Sequence, residues 1–579
     1  MSNIGLNVIE IDGSASPAIQ SAAVSVAGFA IQTPRGPVGK AVLVTSFAQF
    51  VERFGAPDSA TTGPLLVQGF FANGGRRAWV CRVDGTGGKA AEVTIKRGNA
   101  DLLKFTSGAR GEAEVGTWAN KAVQVWVTPT ATTTLKAADT DVTATGTSVA
   151  SIRGLAPGQT VVLQGTGAAE TVTLKTVDAA TKAITWNETV TNLDRFDNGA
   201  SVTTTDFDLT IKARRGFEWV TVESWTGLTM VRAAERYVVR VLNDATQGSK
   251  WVKVDDARPQ NTVGAELIPA TDPATPATLD GGTAPTPGDN DWLGDATKHT
   301  GLTAFDPRSV QLIGVDTSDP EVIRGSLDYC EQRGDCMFVG AVNEATTVET
   351  AAEFGVGFRG KKVYGALYGP WIRVVDPVPG TSALRKIPPT GHVMGVYARI
   401  EATRGIHKAP AGDEARLLGA VDVEYVMSDA DHTFLVRDGS VNGIRAIPGA
   451  GIVVDASRTL STDTRWLYVN VRLLFNFVKS SLRDGLRWVR QEPNKRDLWD
   501  AVKFGTVRPF LMGLWRQGAF GTGDPADVFT IVCDESNNPP DEVDKGNFNL
   551  QITFWPSKPA ETVVVLVGQQ PSGGAASES

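Results

Sequence analysis

Val310-Gln311-Leu312-Ile313-Gly314-Val315 and Met337-Phe338-Val339-Gly340-Ala341-Val342 are two short, almost wholly apolar runs. Between them Pro320 to Arg333 spaces its apolar residues as an amphipathic helix does. Apolar strands without polar alternation are those of a sheet buried on both faces, and a helix joining two such strands is a parallel crossover. Helix Thr347 to Phe354 and strand Lys362 to Leu367 continue the pattern, so the reading is a parallel sheet with helical crossovers.

Working outward, the N-terminal stretch repeats this alternation on a smaller scale. Ser46 caps a helix reaching Phe54 and stopped by Gly55, a second helix spans Pro64 to Ala72, and Ala78 to Val83 is a strand. From about Gly85 to Pro287 the composition turns to Thr, Val, Ala and Gly in alternating segments such as Val123-Gln124-Val125-Trp126-Val127. Eight of the twenty residues from Thr130 to Val149 are Thr, which suits exposed strands and points to a β-rich insertion with a nested module near residues 135–205. The last third predicts one long helical stretch from Asp463 to Arg490, another from Arg496 to Arg516, and strands at Val528 to Cys533 and Phe548 to Phe554.

At 579 residues the chain exceeds what one hydrophobic core serves, so several domains are expected. A formal net charge of −8 argues against a dedicated nucleic-acid binder. Met1 to Asp12 carries no Lys or Arg, unlike a signal peptide, and no apolar run reaches the roughly 18 residues of a membrane span. Cys81, Cys330, Cys336 and Cys533 show no CxxC spacing and are expected to be buried thiols. His299, His392, His407 and His432 form no HxxxH or HExxH pair, and no GxSxG elbow is present, so neither a metal nor a catalytic constellation is expected. Gly355-Val356-Gly357-Phe358-Arg359-Gly360-Lys361-Lys362 satisfies GxGxxG, but a phosphate loop requires a strand before it and a helix after it. Here the order is helix, loop, strand, and the motif reads as a turn.

Two features carry functional weight. Arg465, Arg472, Lys479, Arg483, Arg487 and Arg490 follow at intervals of 7, 7, 4, 4 and 3, which places most of them on one helical stripe with Asp484 as the only acid among them. Solvated helix faces usually mix signs, so this stripe is a candidate for an acidic partner surface. The second feature is the pair of ends. Asn7, Val8, Ile9, Glu10 and Ile11, and Val563, Val564, Val565, Leu566 and Val567, are strand-like segments outside the packed domains, which either form edges of their own domains or pair with a neighbouring chain.

In order and spacing these segments resemble the contractile tail sheath proteins of phages, R-type tailocins and extracellular contractile injection systems. Phe70-Phe71-Ala72-Asn73-Gly74-Gly75-Arg76-Arg77-Ala78-Trp79-Val80 is similar to the family's N-terminal block. Tyr364 to Arg373 and Pro389-Thr390-Gly391-His392-Val393-Met394-Gly395-Val396-Tyr397-Ala398-Arg399 are similar to its middle block. Tyr468-Val469-Asn470-Val471-Arg472, Gly485-Leu486-Arg487-Trp488-Val489, Glu492-Pro493-Asn494 and Leu514-Trp515-Arg516-Gln517-Gly518-Ala519 are similar to its C-terminal block. Where many sheaths have a Pro-Gly-Val-Tyr run, this chain has Gly5-Leu6-Asn7-Val8.

The resemblance implies an α/β plus β multidomain fold: an arm over residues 1–22, an α/β part over 23–85, a β-sandwich insertion over 86–300, a subtilisin-like α/β domain over 301–420, a tube-facing domain over 421–557, and a C-terminal arm and tail over 558–579. It implies a structural subunit of a contractile helical polymer of stacked hexameric rings around a rigid inner tube, without cofactor, metal or enzymatic activity. Its partners would be copies of itself, the inner tube protein, and baseplate and cap proteins, with no nucleic acid and no membrane insertion, assembled in a bacterial cytoplasm into a phage tail or phage-like particle. Arg472, Lys479, Arg483 and Arg487 would face the inner tube and the two end segments would be inter-subunit strands. The alternatives are a surface adhesin of β modules and a serine hydrolase.

Overall fold

A computed structural model describes residues 25–561 and residue 19, apart from residues 139, 197–198, 216–217, 233, 259–267, 273, 345–346 and 379–382. Its centre is an eight-stranded sheet in the order Ala41–Val44, Ala78–Arg82, Ala27–Ile31, Leu312–Val315, Met337–Ala341, Gly365–Gly369, Val441–Ile447, Gly451–Val454. The six central strands run parallel and the two edge strands antiparallel. Ala27 pairs with Leu312, so chain segments nearly 300 residues apart close one sheet, and the β-rich stretch between Arg82 and the helix Asp289–Leu293 is an insertion.

The inner strands from Ala27–Ile31 to Gly365–Gly369 are apolar because both faces are covered. Ala27, Phe29, Ile31 and Leu312 point into one cluster with the helices Gly63–Ala72 and Thr390–Arg404, while Ala30, Ile313 and Val315 point into another with Pro320–Arg333 and Val348–Val356. The first helix pair packs backbone to backbone: a Cβ on Gly391 would lie 1.9 Å from the Leu66 carbonyl oxygen, and only glycine allows that approach.

The insertion holds a sandwich. Glu218–Leu228, Phe207–Arg215, Val123–Pro129 and Ala277–Thr278 form one sheet, Val252–Asp256, Ala100–Ala109 and Glu92–Arg97 the other, and Phe105, Val125, Leu209, Ile211 and Val252 fill the space between. The nested module is a six-stranded antiparallel sheet with its own core of Val161, Leu163, Leu174, Trp186 and Phe196. It leaves the sandwich at Pro129 and returns at Phe207, which are partners across neighbouring strands.

Several sequence expectations need correction. The helix expected from Asp463 to Arg490 runs only over Val469–Gly485. Asp463 takes hydrogen bonds from the backbone and guanidinium of Arg465, which holds a turn before the helix, and a short 3-10 turn, Arg487–Val489, follows it. The boundary expected at residue 420 is overrun, since Val441–Ile447 and Gly451–Val454 complete the central sheet. The strand expected from Lys362 begins at Gly365, because Ser461 and Thr462 hold the Gly360 and Lys361 carbonyls in a loop. The helix Arg496 to Arg516 contains a π-helical middle, Ala501–Val507. All four cysteines are free and buried. Among the described residues no helix is long and apolar enough to cross a membrane.

Because the module departs and returns through paired strand positions, replacing residues 131–204 by a two-residue turn should leave the remainder folded. Calorimetry should show one transition lost and the others moved by no more than a few degrees; collapse of the sandwich transition would refute the separation.

Candidate functional site

The helix Val469–Gly485 joins the C-terminal third to the sheet domain, because its two flanks bury against different partners. On one side it docks on the loop after Pro320–Arg333: the Asn476 amide donates to the Cys336 carbonyl at 3.0 Å. The Lys479 amine donates to the Gly334 carbonyl, and the Arg483 guanidinium pairs with Asp335 at 2.6 Å. Burial pushes the Asp335 carboxyl up, but hydrogen bonds from Arg333 and Arg483 outweigh it and hold the group below the usual carboxylate range. On the other side Leu474, Phe477 and Val478 enter a cluster with Leu498, Trp499, Val502, Leu511 and Phe529.

This geometry divides the predicted basic stripe. Arg472 is only 1% exposed, with its guanidinium carbon 4.0 Å from the ring centres of both Tyr364 and Trp466. It is a cation sandwiched between aromatic faces, which compensates part of its lost hydration, and burial lowers its affinity for the proton. The expectation that Arg472 faces a partner is therefore corrected: it glues the helix to the sheet domain. Lys479 is exposed as a residue, yet its amine lies against Gly334 and within 5.2 Å of the Tyr364 ring, and burial lowers its pKa. Arg483 keeps 55% of its side chain exposed beyond its Asp335 pair, and Arg487 keeps 75% with Asp484 at 2.8 Å. Tyr364 and Asp335 lie more than 100 residues from the helix they receive, and no local pattern marked them.

From Arg472 a chain of aromatic contacts leads to a small two-stranded sheet. Trp466 meets Phe475 at 4.7 Å, Phe475 stacks on Phe554 at 4.1 Å, and Phe520 bridges Phe554 and Phe529 at 5.1 and 5.9 Å. Phe554 ends the strand Gln551–Phe554 and Phe529 begins Phe529–Val532, and these two strands pair only with each other among the described residues. Both outer edges therefore carry unpaired backbone groups.

The following chain is tied down. Ser557 donates to the Gly518 and Phe520 carbonyls, and Glu561 takes two hydrogen bonds from Arg458 at 2.8 and 2.6 Å. The Arg458 amide is in turn held by Asn442 Oδ1 at 2.6 Å, on a strand of the central sheet. The predicted end strands, Asn7 to Ile11 and Val563 to Val567, lie outside the described residues. No group of three or more His, Cys, Asp or Glu suited to a metal is found among the described residues. The GxGxxG stretch follows the helix Val348–Val356 and precedes Gly365–Gly369, the order that does not build a phosphate cradle.

Residues 461–569, which include this helix and the two-stranded sheet, match the family model for the phage tail sheath C-terminal domain. The putative prophage major tail sheath protein of Pseudomonas aeruginosa (strain UCBPP-PA14) is 24% identical over 219 residues, covering 37% of this chain and 53% of that protein. The aligned part thus spans about half the length of that relative. In fold, the chain superimposes on the contracted sheath complex of an extracellular contractile injection system, PVC, with a TM-score of 0.51 at 14% identity, covering 98% of both chains. It superimposes on the sheath tail protein of Desulfitobacterium hafniense with a TM-score of 0.53 at 11% identity, covering 91% and 94%. The C-terminal part of the chain is thus similar in sequence to phage tail sheath proteins, and its mixed α/β multidomain fold is of the kind seen in sheath structures.

The division of the stripe is testable by substitution. Arg472→Ala, which empties the slot between Tyr364 and Trp466, should cost about 2–4 kcal/mol of stability in thermal or denaturant unfolding. Arg487→Ala should stay within about 0.5 kcal/mol. Equal effects would place both residues in the same environment.

Proposed function

We propose that this chain is the sheath subunit of a contractile particle: it polymerises around a rigid inner tube and drives that tube into a target envelope by passing from an extended to a contracted helical state. The observation that carries the reading is the two-stranded sheet with open edges, set on the Val469–Gly485 helix within the region matching the sheath C-terminal domain. The related chains are sheath proteins and one solved relative is a helical sheath in its contracted state. Open edges accept strands by β-augmentation, and the segments Asn7 to Ile11 and Val563 to Val567 have the composition to supply them from neighbouring copies. About five inter-chain hydrogen bonds at a net ~0.5–1.5 kcal/mol each would hold neighbours together while the domain bodies rotate.

The work is mechanical, with energy stored at assembly and no nucleotide or enzymatic step. The central sheet and its helices are the subtilisin-like domain in topology alone, the sandwich and nested module the outward insertion, and residues from about 455 to 557 the tube-facing part. Arg483 and Arg487 remain the inner-tube contacts of the predicted four. Exposed ion pairs contribute about 0–1 kcal/mol each and weaken with salt, which suits a sheath that must release its tube. Further partners are the baseplate and cap, and assembly takes place in the bacterial cytoplasm as part of a phage tail or phage-like particle.

Two experiments test the reading by electron microscopy of the protein expressed with its tube partner. Deleting residues 562–579 should abolish striated polymers while leaving a folded monomer; normal sheaths in that variant would remove the arm from assembly. Arg483→Glu with Arg487→Glu should reduce the yield of extended particles, more strongly at low salt, and unchanged yield would take the stripe out of the tube interface.

A further inference from the structure

Beside the Arg458–Glu561 pair lies a cavity of about 320 Å³, at the lower end of the roughly 300–1,000 Å³ of small-molecule sites. Its walls are the helix Asp429–Arg437, the loop 408–412, residues 455–458 and the chain 559–561. On the helix, His432 and Val436, and Thr433 and Arg437, stand four residues apart and so share one face, which lines the cavity. One carboxylate is already held at this wall. Glu561 takes hydrogen bonds from Arg458 Nε and Nη2 at 2.8 and 2.6 Å, and these lower its pKa.

The acids that line the cavity are engaged elsewhere. Asp455 Oδ2 takes a hydrogen bond from Arg445 Nη1 at 2.9 Å, while Arg445 Nη2 donates to Asp429 at 2.6 Å, and Glu561 is matched by Arg458. The cations are in excess. Lys408 and Arg437 line the cavity with no carboxylate in direct contact among the described residues, although the Arg437 charge is felt at Glu561. His432 Nδ1 faces Asp455 Oδ2 at 3.6 Å, but its Nε2 is cut off from solvent and has no hydrogen-bond partner. A buried polar atom left so is unfavourable, and a ligand in the cavity would give it a partner. The carbonyls at the end of the helix, which would repel an anion, are covered: Arg359 Nη2 donates to the Arg437 carbonyl at 3.2 Å and to that of Asp438.

We propose that this cavity is an oxyanion site, which takes a carboxylate, phosphate or sulfate group between the Lys408 amine, the Arg437 guanidinium and His432 Nε2. Hydrogen bonds from cations to such groups are among the shorter and stronger ones, and the guanidinium can engage two oxygens at once. The bound group would bridge the loop that carries Lys408 to the helix that carries His432 and Arg437. Two sources offer this chemistry: a free ion, or an acidic side chain of a second copy of the chain. The first requires a single chain alone. The second rests on the sheath reading, in which copies are neighbours.

Titration of the full-length chain with potassium sulfate, against potassium chloride at equal ionic strength, tests the site by NMR of histidine labelled with carbon-13 at Cε1. The chain has four histidines, and the His432 signal is the one lost in His432→Gln. That signal should shift saturably with sulfate and not with chloride. Lys408→Ala with Arg437→Ala should weaken sulfate binding by about tenfold or more, while the unfolding temperature without sulfate stays within a few degrees. An equal shift in chloride, or an unchanged affinity in the double variant, would overturn the proposal. Should the double variant fail to fold by circular dichroism, the wild-type titration decides alone: a saturable, sulfate-specific shift of His432 supports the site and a flat line overturns it. Electron microscopy of Lys408→Glu with Arg437→Glu separates the two sources. A lower yield of striated polymers assigns the group to a neighbouring copy, and an unchanged yield assigns it to the free ion. Failure of the wild-type chain to form polymers would count against the sheath reading and leave the sulfate result standing.

Discussion

The seating of one helix on one loop governs this molecule. Val469–Gly485 is packed on both flanks; Val469 and Leu473 join the core of the sheet domain, and the directional contacts to that domain are polar: the Arg472 guanidinium between Tyr364 and Trp466, the Lys479 amine on Gly334, Arg483 on Asp335 and Asn476 on Cys336. Apolar packing alone would permit the helix to slide, since one turn resembles the next. Directional contacts at four points fix its register, and the opposite flank then builds the C-terminal cluster on a defined base. The cost of burying Arg472 is offset by aromatic faces and by the surrounding pairs, and the return is positional.

The central sheet shows the same economy in its topology. Its first strands come from residues 27–82 and its remaining strands from 312–454, and the sandwich and nested module between them keep outside the two apolar clusters that flank the sheet. Each β unit has its own apolar cluster, and the clusters do not merge. The insertion can therefore vary in size or composition while the parallel sheet and the helix seated on it stay the same.

Local chemistry was legible in the sequence where local periodicity decides the structure. Pro320–Arg333 forms as its pattern of apolar residues dictates, and the GxGxxG stretch runs from the end of a helix into the loop before a strand, as its order required. Spacing placed the basic residues of the long helix on one face, yet it carries no information about what that face meets. The loop at Gly334 and the ring of Tyr364 arrive from more than 100 residues away, and they turned Arg472 from a surface group into a buried one. The boundary at residue 420 failed for a similar reason: Val441–Ile447 finds its partner in Gly365–Gly369, a pairing that composition does not reveal.

The Arg458 to Glu561 pair has a consequence for how the molecule bears load. Tension on the chain beyond Glu561 meets two parallel hydrogen bonds at Arg458 before it reaches the aromatic contacts of the small sheet. The Arg458 backbone is held by Asn442, whose side chain also donates to the Leu367 carbonyl, so the pull passes directly into two parallel strands of the central sheet. There it is resisted by many backbone hydrogen bonds acting together. The pair works as a strain relief, as on a cable where it enters its housing, and the delicate two-stranded sheet is spared the force that the sturdiest part of the fold absorbs.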